Sequence, residues 1–581
     1  MNKSLFQKLL PHFVALILFF CLSFWYFSPV LEGKQLMGHD TQSWLYSAKE
    51  TIDYNQTHDD KTLWTNSMFG GMPTYQISMT QLNNIIKYVD QLIKSLPSPV
   101  FFLVLYLLCF YILLLAFGIN PWLAIIGSFA FSFASYNFII LSVGHNSKAI
   151  TIAYIAPLIG SIYMAFRSKR MLGSLLTALF LSLAIYANHI QILYYTLLMV
   201  LVFGLVELIF SIKEKKASSY FKTLGLLIIA ALLAAGMNAT SLLTTYEYNQ
   251  YTMRGKSTGL TLDEQNAQHG LNKDYITQWS YGIDETLTLL IPNFKGGASA
   301  GTLSSESKTA QRLSSYGVPN VERMMKEMQL PLYWGNQPGT AGPVYVGAIV
   351  CFLFVLGIFL VDKRTKWWLL PLIVLSIMLS WGKNFMPLTD FFIRYIPFYN
   401  NFRTVSMILV IASFGMALMA ILALKEVFNP ATDKAKLLRP VSISAAIVGG
   451  ICLIFAVVPS LAGNFVSPAD GQFTGDYAFL KETLPLDREA LLRSDALRSL
   501  TFVILCAGLI WLYAKNLVKK NLAYVLLGCL MLGDLVPVAK RYLNDDNFTR
   551  KRSFEKFIQP TVADKIILKD KSQFKVHDAT V

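Results

Sequence analysis

A histidine and an aspartate, His39 and Asp40, follow an apolar run at residues 13–31 that is long enough to span a membrane. A carboxylate beside an imidazole at the boundary between lipid and water has the groups for general acid–base catalysis. Asp40 would be the base and His39 its auxiliary. Aspartate is also a good helix N-cap, so Asp40 could instead cap a helix that begins at Thr41. The two roles are compatible, because a capped carboxylate is held in place.

A second set of polar side chains lies at the edges of other apolar runs. They are His145 and Lys148 in GHNSK (144–148), His189 in NHIQ (188–191), and Arg403 in NNFRTVS (400–406). Cations at headgroup depth suit a phosphate, which a guanidinium binds bidentately and an ammonium binds as a point charge. Each cation could equally reach toward lipid headgroups. Because all four residues fall on one predicted side of the membrane, we expect a shared phosphate-binding site, with His145 also available as an auxiliary to Asp40.

Other catalytic chemistries have little support in the sequence. His39 and Asp40 could contribute to a metal site, but two adjacent residues do not define one, and no cofactor is predicted. The chain has no HExxH, Walker A or GxGxxG motif, and its one match to GxSxG, GASAG at 297–301, lies in a Gly- and Ser-rich polar stretch and not on a strand-to-helix turn. The lack of a nucleotide-binding motif argues against an ATP-driven pump.

The composition is that of a membrane protein. Of 581 residues, 54% are hydrophobic and 15% charged, whereas roughly a quarter of the residues of a soluble protein are charged. The net charge of +15 would suggest nucleic acid in a soluble chain. Here the Lys and Arg residues cluster in short connections between apolar runs, as membrane orientation requires. Membrane lipids are therefore expected partners, and nucleic acid is not.

Apolar stretches near 20 residues recur along the chain and predict an all-α, polytopic protein with about thirteen transmembrane helices. They are 11–31, 98–118, 121–142, 149–166, 171–188, 190–212, 222–244, 343–361, 367–382, 403–424, 440–462, 498–514 and 521–540. Residues 1–540 then form one transmembrane domain, and 541–581 form a C-terminal segment.

The connections rich in Lys and Arg predict the orientation. They are 167–170, 213–216, 362–366, 425–439 and 515–520. By the positive-inside rule these connections and the N-terminus are cytoplasmic. Alternation places the others outside: 145–148, 188–191, 383–402, the long loops 32–97, 245–342 and 463–497, and the C-terminal segment.

Three further features have local interpretations. Residues 80–96 have apolar side chains at helical spacing and predict a helix lying on the membrane surface. Residues 295–308, KGGASAGTLSSESK, predict a mobile segment, which could gate a site or simply connect two helices. Asp534 lies within an apolar helix, so we expect it to be structural and paired with a cation or polar group.

Short motifs spread through most of the chain resemble the YfhO-like family of bacterial membrane proteins, which belongs to the GT-C superfamily of glycosyltransferases. The motifs are GHD (38–40), WTNSMFGGMPTY (64–75), GHNSK (144–148), NHIQ (188–191), FRTVS (402–406) and DLVPVAKRYLN (534–544). Two features differ from the family pattern: relatives often have Pro and Arg after the FR element, and many continue into a further extracytoplasmic region beyond a segment such as 541–581.

The resemblance implies a GT-C-like enzyme of the bacterial cytoplasmic membrane that uses a polyprenyl-phosphate-linked sugar. It also implies an acidic residue in the first external loop near the reaction centre, which is Asp40 in this chain. The acceptor would be an envelope polymer or lipid on the outer face. A transporter or flippase of lipid-linked sugars and a non-catalytic envelope assembly protein are the alternatives.

Overall fold

A computed structural model describes residues 3–78, 84–255, 270–552, 559–567 and 569–570. Most of these residues are helical. The α-helices of this part of the chain are α1 (Lys3–Tyr26), α2 (His39–Thr57), α3 (Ile86–Ile93), α4 (Val100–Ala116), α5 (Pro121–Ser132), α6 (Ser135–Val143), α7 (Asn146–Arg167), α8 (Arg170–Tyr186), α9 (Ile190–Lys213), α10 (Ala217–Met237), α11 (Ala239–Asn249), α12 (Lys273–Thr277), α13 (Lys308–Ser315), α14 (Val321–Glu327), α15 (Ala348–Leu360), α16 (Lys363–Ser380), α17 (Met386–Tyr395), α18 (Leu409–Val427), α19 (Lys434–Val457), α20 (Leu480–Ala514), α21 (Lys520–Ala539) and α22 (Val562–Ile567).

The described residues also contain short antiparallel strands. Strand β1 (Lys34–Leu36) pairs with β4 (Phe548–Arg550), so that Lys34 lies opposite Arg550 and Leu36 opposite Phe548. Strand β2 (Trp64–Thr65) pairs with β3 (Met72–Pro73). The first pairing joins the segment after the first long helix to the segment after the last one, and it lies directly before Asp40.

In the described part of the chain, eight helices are long and apolar enough to cross a membrane, and up to ten if two bent pairs each form one span. The bent pairs are α5 with α6 and α16 with the segment through α17. Three shorter apolar helices, α4, α8 and α15, coincide with the remaining predicted spans. Each predicted span therefore falls on a helix, and the number and apolar character of these helices indicate a multi-pass membrane protein.

The break between α5 and α6 bends the chain by 51° and leaves carbonyl groups without helical partners inside the bundle. The Phe131 carbonyl accepts from Asn137 Nδ2 at 2.8 Å, and the backbone N–H of Ser135 at the break donates to the Tyr345 carbonyl at 3.1 Å. Non-helical backbone at membrane depth requires such internal partners, because lipid supplies none. The break shortens α6, which ends at Gly144 immediately before His145.

The second half of the predicted outer loop 463–497 is helical, because α20 begins at Leu480 and continues for 35 residues, and the placement of this segment outside the membrane stays a prediction. The first turns of α20 are polar, so hydropathy does not separate them from a loop. They are held by packing and by charge: the fully buried Arg488 pairs with Asp470, with Nη1 and Oδ2 2.6 Å apart. A small apolar cluster of Leu480, Leu484 and residues from 303–332 covers this part of the helix.

The segment 295–308, which the sequence predicts to be mobile, has its first residues, 295–297, buried, and its mobility stays a prediction. The Asn293 backbone donates to the Asp495 carboxylate at 3.0 Å, and Gly301 forms an antiparallel bridge with Leu330. Gly296 has φ +86°, and a Cβ there would lie 2.0 Å from the Leu332 carbonyl oxygen. The glycines that suggested mobility instead allow close packing of the backbone.

The surface helix predicted at 80–96 is observed in part as α3, while residues 79–83 lie outside the described residues. Ile86 and Asp90 face inward, whereas Tyr88 and Leu92 are exposed. Such an amphipathic helix beside a set of spans suits the interface between lipid and water.

Asp534 is fully buried and paired, as predicted. It accepts hydrogen bonds from Tyr345 Oη at 2.5 Å and from the Ile349 backbone at 3.1 Å, and its Oδ1 lies 3.1 Å from Arg498 Nη2. The donors lie in the segment just before α15, in α15 and in α20, so this buried carboxylate of α21 joins α15, α20 and α21. Its role in the described structure is therefore packing of the bundle.

The polar connections gather at two opposite ends of the bundle. At one end Arg167 and Arg364 both pair with the buried Glu207, at 2.9 and 2.5 Å. Lys434 Nζ, in the connection 425–439, donates at 2.7 Å to Asn516 Oδ1, in the connection 515–520. The helices that begin with the predicted site residues start at the other end. The assignment of the first of these ends to the cytoplasm stays a prediction, made from the connections rich in Lys and Arg.

Candidate functional site

A cavity of about 1300 Å³ lies at the end of the bundle that carries the predicted site residues. Its lining includes Asp40, His145, Lys148, His189 and Arg403, which come from widely separated parts of the chain. Sequence reasoning predicted that these five residues share a site, and the structure brings them together around one cavity.

His39 is the exception among the predicted site residues. Its side chain is 87% exposed and it does not line the cavity. Its Nδ1 lies 3.4 Å from Asp40 Oδ1, on the solvent side of the carboxylate. The neighbour in sequence is therefore not the main imidazole partner of Asp40.

Two glycines let the segments that carry Asp40 and His145 cross closely. A Cβ at Gly38 would lie 2.7 Å from the Gly144 backbone nitrogen, and a Cβ at Gly144 would lie 2.7 Å from Thr41 Oγ1. Gly144 also ends α6 with φ +104°, a conformation that favours glycine. The glycine before each histidine, in GHD and GHN, is thus the sequence feature that places α2 against the start of α7.

Asp40 is not the helix N-cap that one interpretation assigned to it. Helix α2 begins at His39, its N-cap is Gly38, and no side chain caps it. Asp40 occupies the second helical position, where a negative charge interacts favourably with the helix dipole. Its carboxylate makes no capping hydrogen bond, so it is available to His145 and to the cavity.

Asp40, His145 and Lys148 form a hydrogen-bonded chain. His145 Nε2 lies 2.8 Å from Asp40 Oδ2, and Lys148 Nζ lies 3.0 Å from His145 Nδ1. An ammonium has only donors, so Nδ1 must accept and Nε2 must carry the proton that is donated to Asp40. The contact with Lys148 therefore assigns the tautomer of a neutral His145.

The environment of His145 favours this neutral form. Burial lowers the pKa of the imidazole from 6.5 to about 4, and the nearby charge of Lys148 adds to the decrease against the opposing effect of Asp40. Arg403 contributes a further, smaller lowering of this pKa. His145 is consequently a hydrogen-bond donor to Asp40 at neutral pH rather than a cation that could bind a phosphate, which differs from the expected role.

Lys148 is placed where a cation is costly. It lies in the first turn of α7, where the helix dipole opposes a positive charge, and the residue is only 7% exposed. Among the described residues, no carboxylate lies within ion-pairing distance of its ammonium. A buried cation with this arrangement and access to a cavity suits an anionic ligand.

His189 is the N-cap of α9. Its Nδ1 accepts a hydrogen bond from the Ile192 backbone at 3.3 Å, so the proton is on Nε2. Burial lowers the pKa of this imidazole from 6.5 to about 3, and Lys148 adds to the decrease. His189 thus offers the cavity a neutral N–H donor, so its contribution to phosphate binding would be a hydrogen bond and not a charge.

Arg403 lies on an irregular segment that other elements hold in place. Gln191 Nε2 donates to the Arg403 carbonyl at 2.7 Å, and the backbone of Thr404 donates to the Ile276 carbonyl at 3.1 Å. The exposed guanidinium donates to Tyr275 Oη at 2.5 Å. One edge of the guanidinium is therefore fixed by tyrosine, with no carboxylate within ion-pairing distance among the described residues.

The structure adds two cations that the sequence did not single out. Arg254 and Lys94 line the same cavity. Arg254 Nε donates to the Asn401 carbonyl at 3.0 Å, and its pKa is lowered by burial and by the charge of Arg403. Lys94 pairs with Asp90 at 2.7 Å. Arg254 lies in a long polar loop that also contains Lys256, Lys273 and Lys295, so nothing in its local sequence distinguished it.

The charges of the cavity are strongly unequal. Among the described residues that line it, four carry a positive charge and Asp40 is the sole carboxylate. No group of three or more His, Cys, Asp or Glu residues within the described part of the chain could hold a metal ion. The arrangement can bind an anion and supply one base next to it.

Comparison with known proteins adds no relative. No family model, curated protein or solved structure matches the chain. The resemblance to YfhO-like proteins rests on the short motifs given above, and the chemistry of the site is derived from its own side chains.

Proposed function

We propose that the protein is a GT-C-like glycosyltransferase with about thirteen transmembrane helices. It acts on the outer face of a bacterial cytoplasmic membrane, with its N-terminus in the cytoplasm and its C-terminus outside. It moves a sugar from a polyprenyl-phosphate donor to an envelope polymer or lipid.

The observation that carries this proposal is the pairing of one carboxylate with an excess of cations in a single cavity at the end of an apolar bundle. A donor of this class has a phosphate, a sugar and a long apolar chain. The cations suit the phosphate, the bundle lies in the lipid that would hold the chain, and Asp40 suits the proton that an acceptor hydroxyl must lose.

The reaction is an inverting displacement at the anomeric carbon. The acceptor oxygen forms a bond to this carbon while the bond from the carbon to the phosphate oxygen breaks, and the electron pair leaves with polyprenyl phosphate. The acceptor proton moves to Asp40. A single carboxylate is enough for an inverting displacement that needs no added water.

The cations act on the leaving group. Arg403 and Arg254 have guanidinium donors on the cavity, and Lys148 has a buried ammonium there. Fixed positive charge in a site of low dielectric stabilises the charge that develops on a leaving phosphate. His145 acts on the base, because its Nε2–H holds Asp40 Oδ2, while Oδ1 has only the long 3.4 Å contact with the exposed His39.

The experiment is to incubate purified protein with a panel of radiolabelled polyprenyl-phosphate sugars and envelope extract as acceptor. We expect transfer of label from the lipid phosphate to an acceptor for one donor of the panel. Movement of a fluorescent lipid-linked sugar across proteoliposomes without transfer would favour the flippase alternative. Neither transfer nor movement, with a dispensable Asp40, would favour the assembly protein.

A further inference from the structure

One part of the cavity wall carries no charge. It consists of Trp279 and the lining residues of 337–344, and we call it the neutral wall. The four cations and Asp40 lie on other segments of the chain. A phosphate is attracted to the charged part of the cavity, so the neutral wall must serve a different portion of any ligand that fills the space.

Gln337 is a polar side chain of the neutral wall, and a buried acidic residue, Glu285, orients it. Its Nε2 donates to Glu285 Oε1 at 2.8 Å, and Glu285 is only 2% exposed. The same carboxylate accepts from Tyr333 Oη at 2.9 Å and from the Gly282 backbone at 3.0 Å. An oxygen of Glu285 accepts this hydrogen bond, so Gln337 must turn its NH₂ group, and not its carbonyl oxygen, toward Glu285. Glu285 therefore fixes the orientation of the Gln337 amide.

The fixed amide leaves its carbonyl oxygen, Oε1, directed away from Glu285. The neutral wall therefore presents an acceptor, which pairs with a hydroxyl group and repels a phosphate oxygen. Trp279 lies beside it and uses its indole nitrogen to donate to the Gly339 carbonyl at 3.2 Å. An aromatic ring next to an oriented acceptor is the combination with which pockets hold a polyol, whose faces are apolar and whose rim carries hydroxyls.

The neutral wall is also rigid before any ligand binds. Ser299 and Thr340 exchange two hydrogen bonds, from Thr340 N to Ser299 Oγ and from Ser299 N to the Thr340 carbonyl, both at 2.8 Å. The Gln337 backbone donates to Tyr333 Oη at 3.0 Å. Groups held in this way lose little further freedom on binding, which favours selectivity.

We propose that the neutral wall is a subsite for the uncharged sugar ring, with Gln337 Oε1 accepting a sugar hydroxyl and Glu285 acting as the positioning residue. This inference rests on the proposed function, since it divides the same cavity into a phosphate part and a sugar part. The bound sugar is neutral at this position, because the carboxylate of an acidic sugar would face the acceptor oxygen of Gln337.

The test compares three probes on purified full-length protein: polyprenyl phosphate without a sugar, polyprenyl-phosphate hexoses and N-acetylhexosamines, and the corresponding methyl glycosides. Gln337→Leu should weaken binding of one sugar-bearing probe by about three- to tenfold, the worth of one neutral hydrogen bond. It should leave the affinity for sugar-free polyprenyl phosphate unchanged. Gln311→Leu, on the exposed surface of α13, is the matched control and should change neither affinity.

Glu285→Gln is the second variant and keeps the size of the side chain. A glutamine there can donate to Gln337 Oε1, which allows the Gln337 amide to turn and present a donor. The sugar hydroxyl must then accept instead of donate, so a selective but smaller loss of sugar affinity is expected, with a melting temperature close to wild type as the check on folding. Equal losses for sugar-free and sugar-bearing lipid, or no loss in either variant, would overturn the subsite.

The two proposals fail in different ways. Wild-type protein that binds a methyl glycoside in a Gln337-dependent manner but binds no polyprenyl phosphate would refute the proposed donor and retain the subsite. Wild-type protein that binds polyprenyl phosphate equally well with and without each sugar would retain the phosphate site and refute the subsite.

Discussion

At the scale of single residues, Asp40 depends on an imidazole from another helix. His145 donates to the carboxylate through Nε2, and Lys148 fixes the ring by donating to Nδ1. The sequence predicted Asp40 and His145 as members of one site, but it assigned the auxiliary role first to the adjacent His39. Adjacent positions at the start of a helix point in different directions, so proximity in sequence was a poor guide to contact.

Asp40→Asn tests the base. Because Gly38 and not Asp40 is the N-cap, the substitution should leave the melting temperature nearly unchanged while turnover falls by about 10²- to 10⁴-fold, the usual contribution of a positioned base. Donor affinity should change little, since other residues hold the phosphate. Label transfer and donor binding are measured on the same preparation. A folded Asp40→Asn protein with normal turnover would remove the catalytic assignment.

The lowered pKa of His145 predicts how stability depends on pH. The imidazole titrates near 6.5 in the unfolded chain and at about 4 in the folded protein, so the unfolded state binds more protons between these values. The contribution of His145 to stability is full above pH 6.5 and is lost as the pH falls through 4. His145→Gln should therefore flatten the fall in melting temperature over this range.

The matched control is His39→Gln, because the His39 side chain is almost fully exposed. It should leave the dependence of melting temperature on pH as in the wild type. Thermal unfolding in detergent at several pH values measures both variants. If His145→Gln and wild type lose stability in parallel, the neutral tautomer assigned to His145 is wrong.

At the scale of elements, the crossing of α2 over the end of α6 sets the distance between the base and its partner. Gly144→Ala would place a Cβ 2.7 Å from Thr41 Oγ1 and 2.8 Å from the Thr41 backbone nitrogen. Since backbone cannot yield as a flexible side chain does, α2 must move and take Asp40 away from His145. We expect turnover to fall by at least about tenfold, because small displacements of reacting groups are costly.

Gly33→Ala is the control for this crossing. Gly33 has φ +75°, but a Cβ there meets no atom within 4 Å. It should show only the stability cost of a left-handed alanine, about 1 kcal/mol, with normal turnover. Equal turnover in the Gly33→Ala and Gly144→Ala proteins would show that the close crossing does not position Asp40.

The sequence predicted most elements of the bundle because apolar length alone identifies a membrane helix. It did not predict the bend between α5 and α6, since Phe133 and Ala134 are as apolar as their neighbours. It also missed the polar start of α20, because Arg488 and Asp470 are stabilised by a contact that no local pattern shows. For the same reason Arg254 was not recognised as part of the site.

At the scale of the whole molecule, the cations of the proposed phosphate site come from segments far apart in the chain, which predicts coupling between them. Arg254→Ala and Arg403→Ala should each weaken binding of polyprenyl phosphate by about tenfold, as expected for a charge-assisted contact. The fold-loss of affinity in the double variant should be smaller than the product of the two single fold-losses, because both guanidiniums hold one phosphate. Arg403→Lys should also bind more weakly, since an ammonium cannot bind bidentately.

Arg323→Ala is the control for these variants, because Arg323 is an exposed arginine of α14 that pairs with Glu327. Its removal should leave lipid-phosphate affinity unchanged. Small and strictly additive losses for Arg254→Ala and Arg403→Ala would instead assign both residues to contacts with bulk lipid headgroups.

The orientation of the whole chain is testable with single cysteines. Ser305 and Lys215 are both exposed, and they lie in connections predicted on opposite sides of the membrane. In a background with Cys21 and Cys529 replaced by serine, cysteine at Ser305 should react with an impermeant thiol reagent on intact spheroplasts, and cysteine at Lys215 should not. The reverse pattern would place the cavity in the cytoplasm and contradict the proposed function.

The pairing of β1 with β4 has a consequence for biosynthesis. The segment that leads into α2 is held by residues 548–550, and Lys540 Nζ also donates to the Tyr26 carbonyl at 2.9 Å. A ribosome makes α1 and α2 before α21 and β4, so the anchor for the segment before Asp40 does not exist until β4 has been made. Nascent chains therefore contain Asp40 and the other residues that line the cavity before the segment that leads into α2 is anchored.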